Sequence, residues 1–288
     1  MFSNKSDMCK DISHLLNDPE YCDVKIESSD GLTIPANKTV LAARSQYFRS
    51  LFSLNTNLES QTGRVKMPFT KLVLDKLIIY LHSGEADCES LELGQLLELM
   101  DLLNVVGLST ERTSLENHVM KNIDEENYFL SDCLKGLRTS LQRGLKTIEL
   151  KLLAYLGDSL PWISQMDEVG SLSKTLVMRL LQEKEKEPSQ TIHRFRVLNT
   201  WLSVNSADGV MIDEAHQMFD LEHFTAAELA TDVKRSGLFW SSQIIDRLAE
   251  ICQEKDDELE NLRAEKDKKI TEVLTEQKSS RNVEGRCV

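Results

Sequence analysis

The sequence predicts an α+β fold that is mainly α: a small sheet with helices near the N-terminus, an all-α array after it, and a C-terminal helix. Three observations predict it. Residues 24–34 alternate apolar and polar, the two-residue period of a strand. From Lys38 the period changes to three and four, and that helical spacing recurs through most of the remaining chain. The 288 residues, 41% apolar and 28% charged, are enough for two domains with real cores and a tail.

The elements follow in order. Residues 1–11 are polar. Ile12, Leu15 and Leu16 then fall at i, i+3 and i+4, one stripe on a helix. Val24 and Ile26 share a face, with Asp23, Lys25 and Glu27 opposite. Ser28-Ser29-Asp30-Gly31 is a turn, and Leu32 and Ile34 resume the alternation, so the segment is a hairpin with a loop longer than two residues. Pro35 has no N–H and is expected to interrupt strand pairing. Val40, Leu41, Ala43, Tyr47, Phe48, Leu51 and Phe52 give two short helices. Residues 63–68 alternate as a short strand closed by Pro68. Lys71–Leu81 is an amphipathic helix with Val73, Leu74, Leu77, Ile78 and Leu81 inward, ended by Ser83-Gly84. Leu91–Leu108 and the four-residue steps Leu115, Val119, Ile123 supply two more helices and close the first domain, 12–122.

A helical array is expected over 124–250. Its segments are Asn127–Gly136, Ser140–Gly157, Ser171–Glu183 and Thr191–Val204, several with Ser, Thr or Asn near their starts. The mixed-charge run Glu183–Glu187 reads as a solvated helix end and loop. A final helix runs from Ile245 to Lys278, its part beyond the array being 251–278. Read as heptads, one row is Ile245, Cys252, Leu259, Lys266 and Val273, and the other Leu248, Lys255, Leu262 and Lys269. Three Lys in that seam leave two readings open, a weak coiled coil and a solvated single helix. Residues 279–288 are expected to be a disordered tail.

Composition excludes several functions. The net charge of −13 (34 Lys and Arg against 47 Asp and Glu) opposes broad phosphate-backbone binding, so no nucleic acid is expected. No apolar run approaches the roughly 20 residues that span a bilayer, so no membrane partner is expected. Met1–Lys10 is polar and lacks an apolar signal core, which points to the cytoplasm, with the nucleus also open. Cys9, Cys22, Cys88, Cys133, Cys252 and Cys287 are scattered with no C-x-x-C, the pattern of free thiols in a reducing compartment. No zinc-finger spacing, phosphate-binding loop, dinucleotide fingerprint or nucleophile elbow is present. His216 and His223 are seven apart, a poor metal pair. No cofactor, metal or catalytic residue is assigned, and an enzyme is not expected.

The stretch Tyr21–Phe52 resembles the start of a BTB (POZ) domain. The residues that carry the resemblance are Asp23-Val24, Ile34-Pro35-Ala36-Asn37-Lys38, the run Val40–Phe48, and Leu51-Phe52. Asn37 stands where that family has His, and His82 where it has a second aromatic residue. The helical array resembles the BACK domain that follows BTB in many adaptors. Its marks are Leu172–Leu176 before Leu180-Leu181, then Phe195, Leu198 and Trp201. Asp220–Leu248 resembles the end of BACK in the subgroup that carries discoidin-type domains.

The resemblance implies an adaptor that homodimerises through its BTB domain and serves a cullin-3 ubiquitin ligase. It places Asp23 and Lys38 near the dimer interface, as a charged pair that sets register; an intrachain bond or an exposed pair is the other reading. The stripe Ile12, Leu15, Leu16 packs either across the dimer or on its own domain. For cullin-3 the implied segment is Leu54, Asn57, Leu58 and Glu59: Glu59 fits, Asn57 occupies the apolar slot, and Leu58 or Leu54 fills it only in a shifted register. The alternative is a non-catalytic dimeric scaffold that recruits partners through BACK and the C-terminal helix.

Overall fold

The structure is a computed structural model. It describes residues 5–53, 62–182, 188–206 and 209–284, without the side chains of 5–10, 188 and 271–284. Two compact units, Met1–Lys184 and Glu185–Val288, are described separately below.

The first unit is built on a three-stranded sheet of β1 (Val24–Glu27), β2 (Thr33–Ala36) and β3 (Arg64–Lys66), in the order β2-β1-β3. β1 pairs antiparallel with β2, Ile26 opposite Ile34, and parallel with β3, Ile26 opposite Val65. All three are buried, as the alternation requires. Pro35 does not interrupt the strand. Ser28 N–H donates to the Leu32 carbonyl at 2.9 Å. In an antiparallel ladder bonded pairs alternate with unbonded ones, so Ile26–Ile34 is bonded and Lys25–Pro35 is not. The missing Pro35 N–H therefore faces the open edge of β2, where a strand tolerates proline.

Around the sheet lie α1 (Lys5–Asn17), α2 (Lys38–Arg44), α3 (Gln46–Ser53), α4 (Lys71–Ser83), α5 (Leu93–Val105) and α6 (Ser109–Asp124). Phe48, Leu41, Leu74, Ile78, Leu81, Leu97 and Met100 are fully buried between them. Ser45 separates α2 from α3 and donates its hydroxyl to the Val106 carbonyl, 2.8 Å away, fixing that corner to the end of α5.

The first unit continues through α7 (Leu130–Gln142), α8 (Lys146–Asp158) and α9 (Lys174–Gln182). Within this unit α7 packs on α5, and α8 on α6. Two glycines explain where the helix limits differ from the expected ones. Gly136 was expected to end a helix, yet it lies inside α7. A Cβ there would stand 2.7 Å from Leu93 Cδ2 and 3.0 Å from Leu93 Cγ, so its bare backbone lets α5 come close. Gly144 makes the break instead. Its φ of 66° divides the expected Ser140–Gly157 helix into α7 and α8.

Arg143, in that break, is bonded back to α5. Its guanidinium reaches Asp101 at 2.8 Å and Glu98 at 3.3 Å, and lies 5.2 Å from the centre of the Phe69 ring. Glu98 also accepts from the Thr70 N–H at 2.8 Å and the Thr70 hydroxyl at 3.0 Å, at the start of α4.

The second unit holds α10 (Thr191–Leu202), α11 (Gly209–Met218), short turns across residues 221–236, and α12 (Ser241–Glu284). Phe195 is its centre, edge-on to Phe219 at 5.2 Å and Phe224 at 5.3 Å. His216 and His223 sit on separate elements, and His216 Nε2 donates to the Leu238 carbonyl at 2.6 Å. At 44 residues α12 begins before Ile245 and continues past Lys278, so residues 279–284 of the expected tail are helical. The charged run 183–187 lies outside the described residues.

Replacing Gly136 by Val should force α5 and α7 apart and cost about 1–3 kcal/mol. Urea unfolding of the full chain measures this, and an unchanged midpoint would show that the close approach does not matter.

Candidate interaction surface

The junction between β1 and α2 is held by side chains that bond to backbone. The Asp23 carboxylate accepts from the Lys38 N–H at 2.7 Å, at the first turn of α2. Asn37 is the helix cap: Oδ1 accepts from the Val40 N–H at 3.1 Å, and Nδ2 donates to the Tyr21 carbonyl at 2.8 Å. The amide thus supplies an acceptor to α2 and a donor to the chain before β1.

Asn37 also donates its own N–H to His82 Nε2, at 3.4 Å. An amide N–H can only donate, so Nε2 accepts and the ring proton sits on Nδ1, which donates to the Ile78 carbonyl at 2.8 Å. His82 is buried, and burial is the main reason its pKa falls below the usual histidine value. It is a neutral structural ring that joins α4 to the α2 cap.

Asp23 and Lys38 therefore meet through a backbone amide. Asp23 is exposed. The Lys38 ammonium stands 5.8 Å from the centre of the Phe52 ring at the end of α3. Ile12, Leu15 and Leu16 are each half-buried, and α1 lies along α4 of its own chain. The end of this stripe adjoins the junction: Cys22 Sγ is 3.7 Å from the carbonyls of both Leu15 and Leu16. Burial, then the carboxylates of Asp23 and Asp18, raise the Cys22 pKa, so its thiol is a weak nucleophile. Tyr21 beside it is 52% exposed. Stripe and junction thus form one surface, part apolar and part charged. Leu54, Asn57, Leu58 and Glu59 lie outside the described residues; the chain enters their segment directly from α3.

A second feature was not visible in the sequence. A pocket of about 500 Å³ opens between α4, α5 and α6, lined by Lys76, Tyr80, Cys88, Leu103, Glu111 and His118 among others. Tyr80 donates its hydroxyl to Glu111 at 2.6 Å. Burial, then this bond, raises the Tyr80 pKa. These residues come from three helices and the loop between α4 and α5, so no local motif could have announced them. Among the described residues no group of three or more His, Cys, Asp or Glu could hold a metal, and no helix is long and apolar enough to cross a membrane.

Comparison with known proteins adds to this geometry. Residues 12–118 match the family model of the BTB/POZ domain. The "Kelch repeat and BTB domain-containing protein 2" of horsepox virus is 32% identical over 120 residues, 41% of this chain and 21% of that protein. Human "BTB/POZ domain-containing protein 9" is 23% identical over 252 residues, 86% of this chain and 39% of that protein. Among solved structures, the BTB domain of human gigaxonin matches with a TM-score of 0.34 at 19% identity, over 41% of this chain and 95% of that one. The matched part of the chain spans about a fifth or less of the poxvirus relatives' length.

Two outcomes follow. Asn37→Ala removes the cap and should destabilise the fold by about 1 kcal/mol, read by thermal unfolding. His82, with its folded pKa lowered, takes up a proton more readily once unfolded. Its contribution is complete above the unfolded value of about 6.5 and is lost as pH falls from there towards the lowered folded pKa. Stability measured from pH 7 to 5 should therefore fall more steeply in the parent than in His82→Gln. Equal slopes would contradict a neutral buried ring.

Proposed function

Because residues 12–118 are a BTB/POZ domain, we propose that the chain is a protein-interaction adaptor that homodimerises through that domain and presents substrates to a cullin-3 ubiquitin ligase. The observation that carries this reading is the family match across 12–118, which contains the whole α1–junction surface. The dimer reading is supported by Ile12, Leu15 and Leu16, which keep apolar area exposed in the single chain, beside an exposed Asp23 and Tyr21. A second copy that covered them would remove that area from water, at about 25 cal/mol per Å².

The helices within residues 124–250 are read as a BACK-type array. Support comes from the likeness to "BTB/POZ domain-containing protein 9", which continues far past residue 118. Free Cys22, Cys88, Cys133 and Cys252 fit a cytoplasmic setting. Burial pushes the Cys133 thiol up to about 12, the behaviour of a core residue.

A second reading is favoured by one feature: beyond Ile251 the described part of α12 is exposed along its whole length. On that reading the chain is a dimeric scaffold that binds partners by its tail without cullin-3.

Binding of the full chain to the immobilised N-terminal region of cullin-3 separates the two. The adaptor reading expects micromolar or tighter affinity. It also expects Leu58→Ala to weaken binding by roughly tenfold or more, since a buried apolar anchor contributes on the order of 1.5–3 kcal/mol. Absence of binding at tens of micromolar would leave the scaffold, whose partner contact should vanish when 253–288 are removed.

A further inference from the structure

The two outer edges of the sheet differ. In β2 the backbone of Ile34 bonds inward to Ile26, so Thr33 and Pro35 face outward, and Pro35 has no N–H to offer there. In β3 the inward groups belong to Gly63, Val65 and Met67. The Gly63 carbonyl accepts from the Lys25 N–H at 2.8 Å, and the Met67 N–H donates to the Glu27 carbonyl at 2.9 Å. Arg64 and Lys66 therefore turn their backbone outward. The Arg64 N–H reaches the Thr62 hydroxyl at 3.4 Å. The Arg64 carbonyl and both backbone groups of Lys66 meet no partner among the described residues. Such an edge is a template for one more strand. Pro68, next in the outward row, ends it, so the added strand is short.

Side chains indicate what that strand carries. Lys25, Arg64 and Lys66 are exposed on the outer face of the sheet, where Glu27 pairs with Lys66 at 3.1 Å. Asp23, just before β1, accepts from the Lys38 N–H on the β2 side. Lys25 and Arg64 remain, and the register sets them directly opposite each other. Like charges at opposed positions destabilise a sheet, and neither is relieved by an ion pair among the described residues. In a chain of net charge −13 these cations are no general surplus. A second β3 fits the edge poorly, because it would set Arg64 and Lys66 against their own copies. A strand with carboxylates on the same face would meet both and ease the opposition of Lys25 and Arg64.

We propose that β3 is the docking edge for an extended acidic segment of a partner protein, added as a fourth strand with its carboxylates against Arg64 and Lys66. This contact goes beyond the adaptor reading and needs neither the dimer nor cullin-3.

The test uses the full chain and a fluorescein-labelled peptide, TVEVEVT, with TVKVKVT as its opposite in charge, followed by fluorescence anisotropy. The parent should bind TVEVEVT with a Kd on the order of 0.1 mM, as a few backbone bonds and two charge contacts allow, and should not bind TVKVKVT. Arg64→Glu should lose TVEVEVT. It should also raise the midpoint of thermal unfolding, because a carboxylate then stands opposite Lys25. Lys66→Gln keeps the outward N–H and should bind more weakly than the parent. Lys66→Pro loses that N–H and should not bind, while circular dichroism checks that it folds. A parent that binds neither peptide, or both alike, overturns the proposal. Equal binding by Lys66→Gln and Lys66→Pro also overturns it, since charge would then act without strand pairing. So does a lower unfolding midpoint in Arg64→Glu, which would make Arg64 a structural residue.

Discussion

The close approach of α5 and α7 is the constraint on which the first unit depends. It requires a residue without a side chain at Gly136, because Leu93 occupies the space a Cβ would need. It is locked by Arg143, which joins the α7–α8 break to Glu98 and Asp101 on α5 and covers the Phe69 ring. Glu98 passes the same connection to Thr70 at the start of α4. Each of Arg143's charged contacts is partly shielded from water, so removing the guanidinium would leave a largely buried Glu98 short of a partner. The helices that follow the sheet domain are therefore part of its structure up to Lys184.

Much of this was legible in the residues. Val24, Ile26 and Ile34 gave the hairpin by alternation, and Val73, Leu74, Leu77, Ile78 and Leu81 gave α4 by period. Both signals are local, and both faces pack inward. Pro35 was misread because its effect depends on which edge of the strand is open, a property of sheet order. Gly136 was placed at a helix end and Gly144 inside a helix for a similar reason. A glycine that ends a helix and one that admits a neighbour look alike until the neighbour, Leu93, is known. The parallel pairing of β1 with β3 is a long-range fact of the same kind.

The interaction surface was partly legible. Asp23, Asn37 and Lys38 could be singled out by position, but their roles became clear only from the bonds. Asp23 and Asn37 work on the backbone of α2, and His82, forty-five residues away, completes the cap. Those bonds hold the junction rigid in one chain and leave its outer side, with Tyr21 and the half-buried stripe of α1, open. The pocket bounded by Tyr80 and Glu111 had no linear signature.

The proposed dimer requires the domain that residues 12–118 form to bring two chains together. Sedimentation equilibrium of the full chain tests it. The account predicts a mass of about 66 kDa, twice the 32.8 kDa of one chain, at micromolar concentration. A species of 32.8 kDa that persists at tens of micromolar would contradict it.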